Sequence, residues 1–131
     1  MAAELAHHAI AALHETPLAG KARIMADKAA FLTAARDLLG ERGLTTDAEL
    51  MAPWLTDWRG RYTGRALALA SPSSTAELAE LVKLCGQHGV PIVPQGGNSG
   101  MSGGATPDES GTALLLSLRR MNAILRLDRQ A

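Results

Sequence analysis

A run of small residues follows a short apolar segment in the second half of the chain, and this feature constrains the fold most. The segment VPIVPQGGNSGMSGG covers residues 90–104 and holds five glycines, the first being Gly96 and the last Gly104. β-Branched apolar residues followed by turn residues predict a strand that ends in a loop. Because glycine places no side chain over the backbone, we expect something to approach the main chain of this loop closely.

Apolar runs bounded by turn residues predict strands on both sides of the loop. They cover residues 66–70, 90–94 and 112–117, and residues 124–128 predict the start of another strand. The glycine-rich loop therefore leaves the carboxyl end of the second predicted strand. In open α/β sheets, ligands generally bind at that edge.

A helix is predicted between the first two strands. Ser74 and Glu77 have the spacing of a capping box, and Gly86 and Gly89 are expected to end the helix near residue 88. The residues expected on its buried face are Leu78, Leu81, Val82 and Cys85. Strand, helix and strand within about thirty residues predict a βαβ unit with parallel strands and a right-handed crossover. The predicted fold class is therefore α/β.

The amino-terminal part is predicted to be helical. Residues 2–15 form an Ala-rich helical pattern, which Pro17 and Gly20 are expected to end. Asp27 is then predicted to cap a second helix, which ends before Gly40.

A largely irregular segment is predicted to follow these helices. Thr46 and Glu49 have capping-box spacing and predict a short helical turn that Pro53 stops. Residues 54–66, WLTDWRGRYTGRA, combine aromatic rings with three arginines, Arg59, Arg61 and Arg65. Such clusters can bind nucleic acids, but the net charge is zero and no base-stacking motif is present. We expect the rings to pack on the domain and the guanidinium groups to stay in water.

Composition excludes several classes of function. Lysine plus arginine equals aspartate plus glutamate at 13 each, which gives no electrostatic case for a nucleic-acid or anionic-membrane partner. No stretch has the ~20 apolar residues of a membrane span, and the N-terminus lacks signal or transit features, so a cytoplasmic location is expected. Cys85 is the single cysteine, and it is expected to be a buried apolar side chain. His7 and His14 lack the i, i+4 spacing of helical metal ligands, and no metal site is predicted.

The residue types of the loop suit an anion. Glycines let backbone N–H groups surround a phosphate, Asn98 tolerates left-handed backbone, and Ser99 adds a hydroxyl. The loop lacks the Lys-Ser/Thr pair of a nucleoside-triphosphate P-loop. Its spacing, Gly97-x-x-Gly100-x-x-Gly103, also differs from the Gly-x-Gly-x-x-Gly of a Rossmann dinucleotide loop. The residues alone leave two interpretations, phosphate binding and a mobile surface loop.

The string PQGGNSGMSGGATPDESG at residues 94–111 resembles the Pro-Gln-Gly-Gly-Asn-Thr-Gly loop of FAD-linked oxidases and dehydrogenases acting on D-2-hydroxy acids. That family includes D-lactate dehydrogenases, glycolate oxidase subunits and D-2-hydroxyglutarate dehydrogenases. The resemblance covers residues 28–128 and continues through LTDWRGRYTGRALALASPSSTAELAELVKLCGQHG and LLLSLRRMNAILRLD. It implies the FAD-binding domain shared with vanillyl-alcohol oxidase, of which this chain resembles the amino-terminal half.

The resemblance also implies a role for the loop, whose main-chain amides would hold the FAD pyrophosphate. The residues so assigned to cofactor binding are Pro94, Gln95, Gly96, Gly97, Asn98, Ser99, Gly100, Gly103 and Gly104. Ser99 stands where threonine is usual and keeps the hydroxyl, whereas Met101 and Ser102 stand where leucine and valine are common. On this hypothesis the phosphates of FAD need the space that side chains would occupy.

The family's activity implies a layout as well. Its members move a hydride from C2 of the 2-hydroxy acid to the flavin, and the substrate-binding part would lie beyond this chain. No catalytic residue or metal ligand is therefore expected among its residues. The predicted layout is a helical extension over residues 1–24, a helical lead-in with the Trp/Arg segment over 25–64, and an incomplete first subdomain over 65–131.

A second hypothesis remains beside the enzyme. The chain could be a short non-catalytic paralogue that acts as an interaction or regulatory protein. An incomplete sheet exposes apolar surface, so a homo-oligomer or a partner chain is expected to cover it.

Overall fold

The computed structural model describes residues 17–128, which form helices and strands up to Ser117 and an irregular segment after it. The elements are α1 (Pro17–Leu39), β1 (Leu44–Thr45), α2 (Ala48–Met51), a 3-10 turn (Ala52–Trp54), β2 (Ala68–Ala70), α3 (Thr75–His88), β3 (Ile92–Gln95) and β4 (Leu114–Ser117). The chain divides into two compact units after Ala30, and the sheet lies wholly in the second. The Ala-rich helix predicted over residues 2–15 lies outside the described residues, and side chains are described from Asp27 onward.

The sheet is organised around β4. This strand pairs in parallel with β2 on one side and with β3 on the other, so that Leu115 lies beside both Leu69 and Val93. The two-residue strand β1 pairs antiparallel with β2, which gives the order β1-β2-β4-β3. The predicted parallel α/β arrangement is confirmed, although β2 and β3 do not pair directly because β4 lies between them. The strand β1 was not predicted, since two residues cannot show an alternating pattern.

Successive strand residues point to opposite faces, and each face has its own apolar cluster. The cluster on one face joins the sheet to α1 and α3, and its buried members include Phe31, Ala35, Leu39, Ala68, Ala70, Leu81, Cys85, Leu114 and Leu116. The cluster on the other face joins the sheet to α2 and the 3-10 turn through Met51, Leu69, Leu115 and the partly buried Trp54. The glycine-rich loop leaves the sheet between these two layers, at the end of β3.

Two helix boundaries differ from the sequence prediction. α1 runs without interruption from Pro17, so the prediction that Asp27 caps a new helix is wrong. Proline suits the first turn of a helix because its missing N–H has no intrahelical partner there, and an internal Gly20 costs only about 1 kcal/mol relative to alanine. Gly86 likewise lies inside α3, and Gly89 alone ends that helix with a φ of 62°.

The cap of α2 also differs from the prediction. Asp47 is the N-cap, and its carboxylate accepts hydrogen bonds from the backbone N–H groups of Glu49 and Leu50 at 2.9 and 3.1 Å. Thr46 was therefore the wrong residue, because the carboxylate of Asp47, one position later, accepts from two backbone donors. The α-helix ends at Met51, two residues before Pro53, as predicted, and Pro53 itself lies in the 3-10 turn that follows.

The predicted capping box of α3 is present in modified form. Ser74 accepts a hydrogen bond from the Glu77 N–H at 3.2 Å, but the Glu77 carboxylate bonds the backbone N–H of Ser73 at 2.7 Å. On the buried face Val82 is 46% exposed, contrary to prediction, and Leu84 packs against the core instead. Burial raises the pKa of the Cys85 thiol to about 11, so this side chain stays neutral and packs as an apolar group.

The strand predicted over residues 124–128 does not form. These residues have no regular structure, and Ile124, Leu125 and Leu127 are exposed to 86%, 94% and 76%. An extended segment becomes a strand only through hydrogen bonds to a neighbour, and no strand of the described chain pairs with it.

Among the described residues, no helix has the length and apolar character needed to cross a membrane.

Two glycine substitutions test the packing around the sheet. A Cβ at Gly64 would overlap the backbone carbonyl oxygen of Pro107, so Gly64→Ala should lower the free energy of unfolding by about 2–4 kcal/mol. A Cβ at Gly86 in α3 meets no atom within 4 Å, and Gly86→Ala should raise that free energy by about 0.5–1 kcal/mol. Urea unfolding of both variants measures the difference. Equal stability of the two variants would contradict the packing described here.

Candidate functional site

The glycine-rich loop starts where β3 ends. Gln95 is the last residue of β3, and residues 96–104 follow as irregular chain. The backbone N–H of Leu118, just after β4, donates to the carbonyl oxygen of Gln95 at 3.1 Å. The loop therefore emerges at the carboxyl edge of two parallel strands, as the sequence predicts for a ligand site.

Among the described residues, nothing accepts a hydrogen bond from the backbone N–H groups of this loop. In the described part of the chain, no backbone N–H from Gly96 to Gly104 donates a hydrogen bond to another residue. The N–H of Thr106, which donates to the Gly103 carbonyl at 3.1 Å, lies just beyond this stretch. The loop is largely exposed, so these donors face solvent and are available to an acceptor from outside the chain, such as an anion.

The glycines of the loop are of two kinds. Gly103 is required by the fold, because its φ is 75° and an added Cβ would lie 3.0 Å from Cδ2 of Tyr62. The other four have no left-handed backbone, and an added Cβ would meet no atom within 4 Å: Gly96, Gly97, Gly100 and Gly104. The fold alone does not explain these four glycines. A ligand held against the main chain does, since it would fill the space of a Cβ.

Gln95 holds the two ends of the loop together. Its side chain is fully buried, and Nε2 donates to the carbonyl oxygens of Trp54 at 3.0 Å and Ala105 at 2.9 Å. The loop begins directly after Gln95 and ends directly before Ala105, so one amide fixes its span. The buried Oε1 atom has no hydrogen-bond partner among the described residues. The amide therefore faces the protein interior, which the sequence motif did not reveal.

The Trp/Arg loop, residues 54–65, lies against the glycine-rich loop. The side-chain amide of Asn98 donates to the Thr56 carbonyl at 2.9 Å, and Asn98 has the left-handed backbone that the sequence suggested, with a φ of 52°. The guanidinium of Arg59 contacts the sulfur of Met101, with Nη2 at 3.7 Å from Sδ. These residues are about forty positions apart, so no local sequence pattern predicts their contact.

Asp57 closes the Trp/Arg loop on itself. The residue is 5% exposed, and its Oδ1 atom accepts hydrogen bonds from the backbone N–H groups of Arg61 and Tyr62, both at 2.7 Å. These hydrogen bonds, led by the one from Tyr62, hold the pKa of Asp57 below its ordinary value. The rings pack less than predicted, because Trp58 and Tyr62 remain 58% and 50% exposed and only Trp54 joins a core cluster.

Metal ligands are not grouped in the described part of the chain. Among those residues no set of three histidine, cysteine, aspartate or glutamate side chains could hold an ion. Of the four histidines, His88 is described and packs edge-on against Phe31, with ring centroids 5.9 Å apart. His7, His8 and His14 lie outside the described residues.

The role of Asp57 can be tested by pH. A carboxyl group whose pKa is lowered in the folded state adds stability above its unfolded pKa of about 4 and loses this contribution as the pH falls. Asp57→Asn should therefore be less stable than the parent protein at pH 7 and should lose less stability between pH 7 and 3. Urea midpoints across this range give the measurement, with Asp37→Asn in α1 as the exposed control. Parallel pH profiles of parent and Asp57→Asn would contradict this role.

The role of Gln95 can be tested by removing its donor while keeping its volume. Gln95→Met leaves the carbonyl groups of Trp54 and Ala105 without a donor and should lower the free energy of unfolding by about 2 kcal/mol. Gln87→Met on the exposed side of α3 makes the same chemical change and should stay within about 0.5 kcal/mol of the parent. Equal effects in chemical unfolding would show that Gln95 does not hold the loop.

Comparisons with known proteins agree with this geometry. The chain is 35% identical over 95 residues to a protein of Oryza sativa subsp. indica named probable D-2-hydroxyglutarate dehydrogenase, mitochondrial, and the match covers 71% of this chain and 16% of that protein. It is 36% identical over 70 residues to the glycolate oxidase subunit GlcD of Bacillus subtilis (strain 168), covering 53% of this chain and 14% of that one. The chain thus spans about one sixth of the length of the relatives it matches.

Solved structures and a domain family extend the comparison. An alkyldihydroxyacetonephosphate synthase superposes with a TM-score of 0.66 and 24% identity over 76% of this chain and 20% of the other. A p-cresol methylhydroxylase superposes with a TM-score of 0.62 and 22% identity over 79% of this chain and 20% of the other. These likenesses confirm the predicted fold.

Residues 66–131 match the family described as FAD binding domain. This match covers half of the chain, including β2 to β4 and the whole glycine-rich loop, and the chain therefore belongs to the family of FAD-binding domains.

Proposed function

We propose that the glycine-rich loop binds the pyrophosphate of FAD, within a flavin-dependent enzyme that oxidises a D-2-hydroxy acid to the 2-oxo acid. The observation that carries the proposal is the row of backbone N–H groups from Gly96 to Gly104 that no residue of the described chain accepts from. Four glycines that the fold itself does not require support it, because their open Cβ positions leave the main chain accessible to phosphate oxygens.

The residues assigned to the cofactor divide by role. Gly96, Gly97, Ser99 and Gly100 are exposed, and their backbone N–H groups would donate to the phosphates, with the Ser99 hydroxyl as a further donor. Gln95 and Asn98 use their amides on protein carbonyls, so their part is to shape the loop. Pro94 belongs to β3 and leads the chain into the loop, and Gly103 and Gly104 lead it out.

The division of labour follows from the position of the site. When bound, FAD supplies the ring that accepts a hydride, and the protein binds and orients the cofactor. A loop whose amides are positioned before the anion arrives binds it with little reorganisation. No described residue is assigned to proton transfer, and the chemistry at the substrate belongs to parts of an enzyme that this chain does not contain.

The substrate class is proposed from the relatives. Their names include D-2-hydroxyglutarate dehydrogenase in Arabidopsis thaliana, a putative D-lactate dehydrogenase in Schizosaccharomyces pombe and a glycolate oxidase subunit in Bacillus subtilis. The three names share a 2-hydroxy acid. A matched pair of D- and L-lactate, and of D- and L-2-hydroxyglutarate, tests this class by loss of the flavin absorbance when the protein that carries this chain is mixed with each acid anaerobically. Bleaching by the D-forms alone is expected, and bleaching by none of the four acids would reject lactate and 2-hydroxyglutarate as substrates.

The pyrophosphate site is tested at Gly97. An aspartate there would place a side chain and a negative charge in the open space over the loop, so Gly97→Asp should abolish measurable FAD binding. Gly97→Ala should weaken binding while leaving the free energy of unfolding within about 1 kcal/mol of the parent, because its Cβ meets no protein atom. Titration of the apoprotein with FAD gives the affinities.

The control places the same charge elsewhere. Gly86→Asp adds an aspartate on α3, where a Cβ also meets no atom within 4 Å, and should leave the FAD affinity unchanged. An unaltered FAD affinity in Gly97→Asp would falsify the assignment of the loop.

A further inference from the structure

We propose that Arg59 of the Trp/Arg loop supplies the positive charge that faces the FAD pyrophosphate. This inference rests on the proposed function of the glycine-rich loop and adds a residue outside residues 94–104, the segment assigned to the cofactor. It places the phosphate site between two loops about forty residues apart in sequence, joined by the Arg59–Met101 contact.

The glycine-rich loop has no charged side chain to balance the charge of a pyrophosphate. A pyrophosphate diester carries two negative charges at neutral pH, whereas residues 94–104 contain no ionisable side chain. Backbone N–H groups donate hydrogen bonds, but they carry only partial charge. A guanidinium group offers a planar fork of donors that matches phosphate oxygens, and hydrogen bonds to it are stronger than neutral ones. An arginine in contact with the loop therefore provides what the loop itself lacks.

The side chain of Arg59 lies beside the glycine-rich loop. The Nη2 atom of Arg59 lies 3.7 Å from the sulfur of Met101, which belongs to the glycine-rich loop. The Arg59 guanidinium also lies over the ring of Trp58, with Cζ at 5.1 Å from the ring centroid. A cation over an aromatic face is stabilised there, so the side chain is held beside the loop before any ligand binds.

The backbone of Arg59 is held as well. Its N–H donates to Oδ2 of Asp57 at 3.3 Å, within the turn that Asp57 closes. The neighbouring contacts between Asn98 and Thr56, and between Gly103 and Tyr62, keep this turn against the glycine-rich loop on both sides of Arg59. The guanidinium thus extends from a fixed turn.

Among the described residues, no carboxylate forms an ion pair with the guanidinium of Arg59. Lys83, in contrast, pairs with Glu80 at 2.7 Å, and Arg126 pairs with Asp128 at 3.5 Å. Arg61 differs, because its charge helps to lower the pKa of Asp57. A guanidinium that is held over an aromatic ring and has no acidic partner among the described residues has the features of an anion-binding side chain.

The experiment measures the dissociation constant of FAD for the apoprotein that carries this chain, at low and high salt. Arg59→Gln should weaken FAD binding about ten- to a hundred-fold at low salt, the range of a lost charge-assisted hydrogen bond. The weakening should shrink at about 1 M salt, because screening removes the electrostatic part. Arg59→Lys keeps the charge without the fork and should lie between the two. Arg36→Gln, an exposed arginine in the last turn of α1, is the matched control and should bind FAD as the parent does.

Each result bears on one proposal or on both. If Arg59→Gln binds FAD as tightly as Arg36→Gln while Gly97→Asp abolishes binding, the role of Arg59 is overturned and the loop assignment stands. If the loss in Arg59→Gln is the same at every salt concentration, the residue acts through structure, and the proposed charge role is overturned. If neither Arg59→Gln nor Gly97→Asp changes the affinity, both proposals fail.

Discussion

One buried amide holds the site together. Gln95 ends the strand β3, and its Nε2 atom reaches the carbonyl of Trp54 on one side and that of Ala105 on the other. Three separate stretches of chain therefore meet at this side chain: the sheet, the Trp/Arg loop and the exit of the glycine-rich loop. Unpaired buried carbonyl groups are costly, so the two hydrogen bonds favour one loop span over others. The rest of the site depends on that span.

The loop that results is fixed at its ends and open at its centre. Gly103 is confined by its backbone angle and by Tyr62, whereas Gly96, Gly97 and Gly100 meet nothing where a Cβ would be. Their backbone donors are also unused among the described residues. Donors that no described residue accepts from, and that no side chain covers, are accessible to an anion, as we propose for the FAD pyrophosphate. Arg59 completes this arrangement in our proposal, because it brings formal charge to a loop that has none.

Several elements followed from local pattern alone. The helix α3, with Ser74 as its cap, and the strands β2, β3 and β4 were predictable, because capping residues and apolar periodicity act within a few positions of chain. The predicted helix boundaries were wrong where the local sequence is compatible with two different boundaries. Asp47 and Thr46 could both cap α2, and Pro17 could either end a helix or open one. Residues 124–128 have the composition of a strand, yet a strand exists only when a neighbour accepts its hydrogen bonds.

The sequence by itself determined the fold class, the position of the glycine-rich loop at the carboxyl edge of β3 and the resemblance that names its cofactor. These rest on short-range patterns and on an ordered string of residues, both of which are written along the chain. Only the tertiary structure decided that β4 separates β2 from β3, that Gln95 faces inward, and that the Trp/Arg loop lies beside the glycines. Such contacts join residues that are distant along the chain, and their energies depend on how the sheet and its layers pack, which no local pattern encodes.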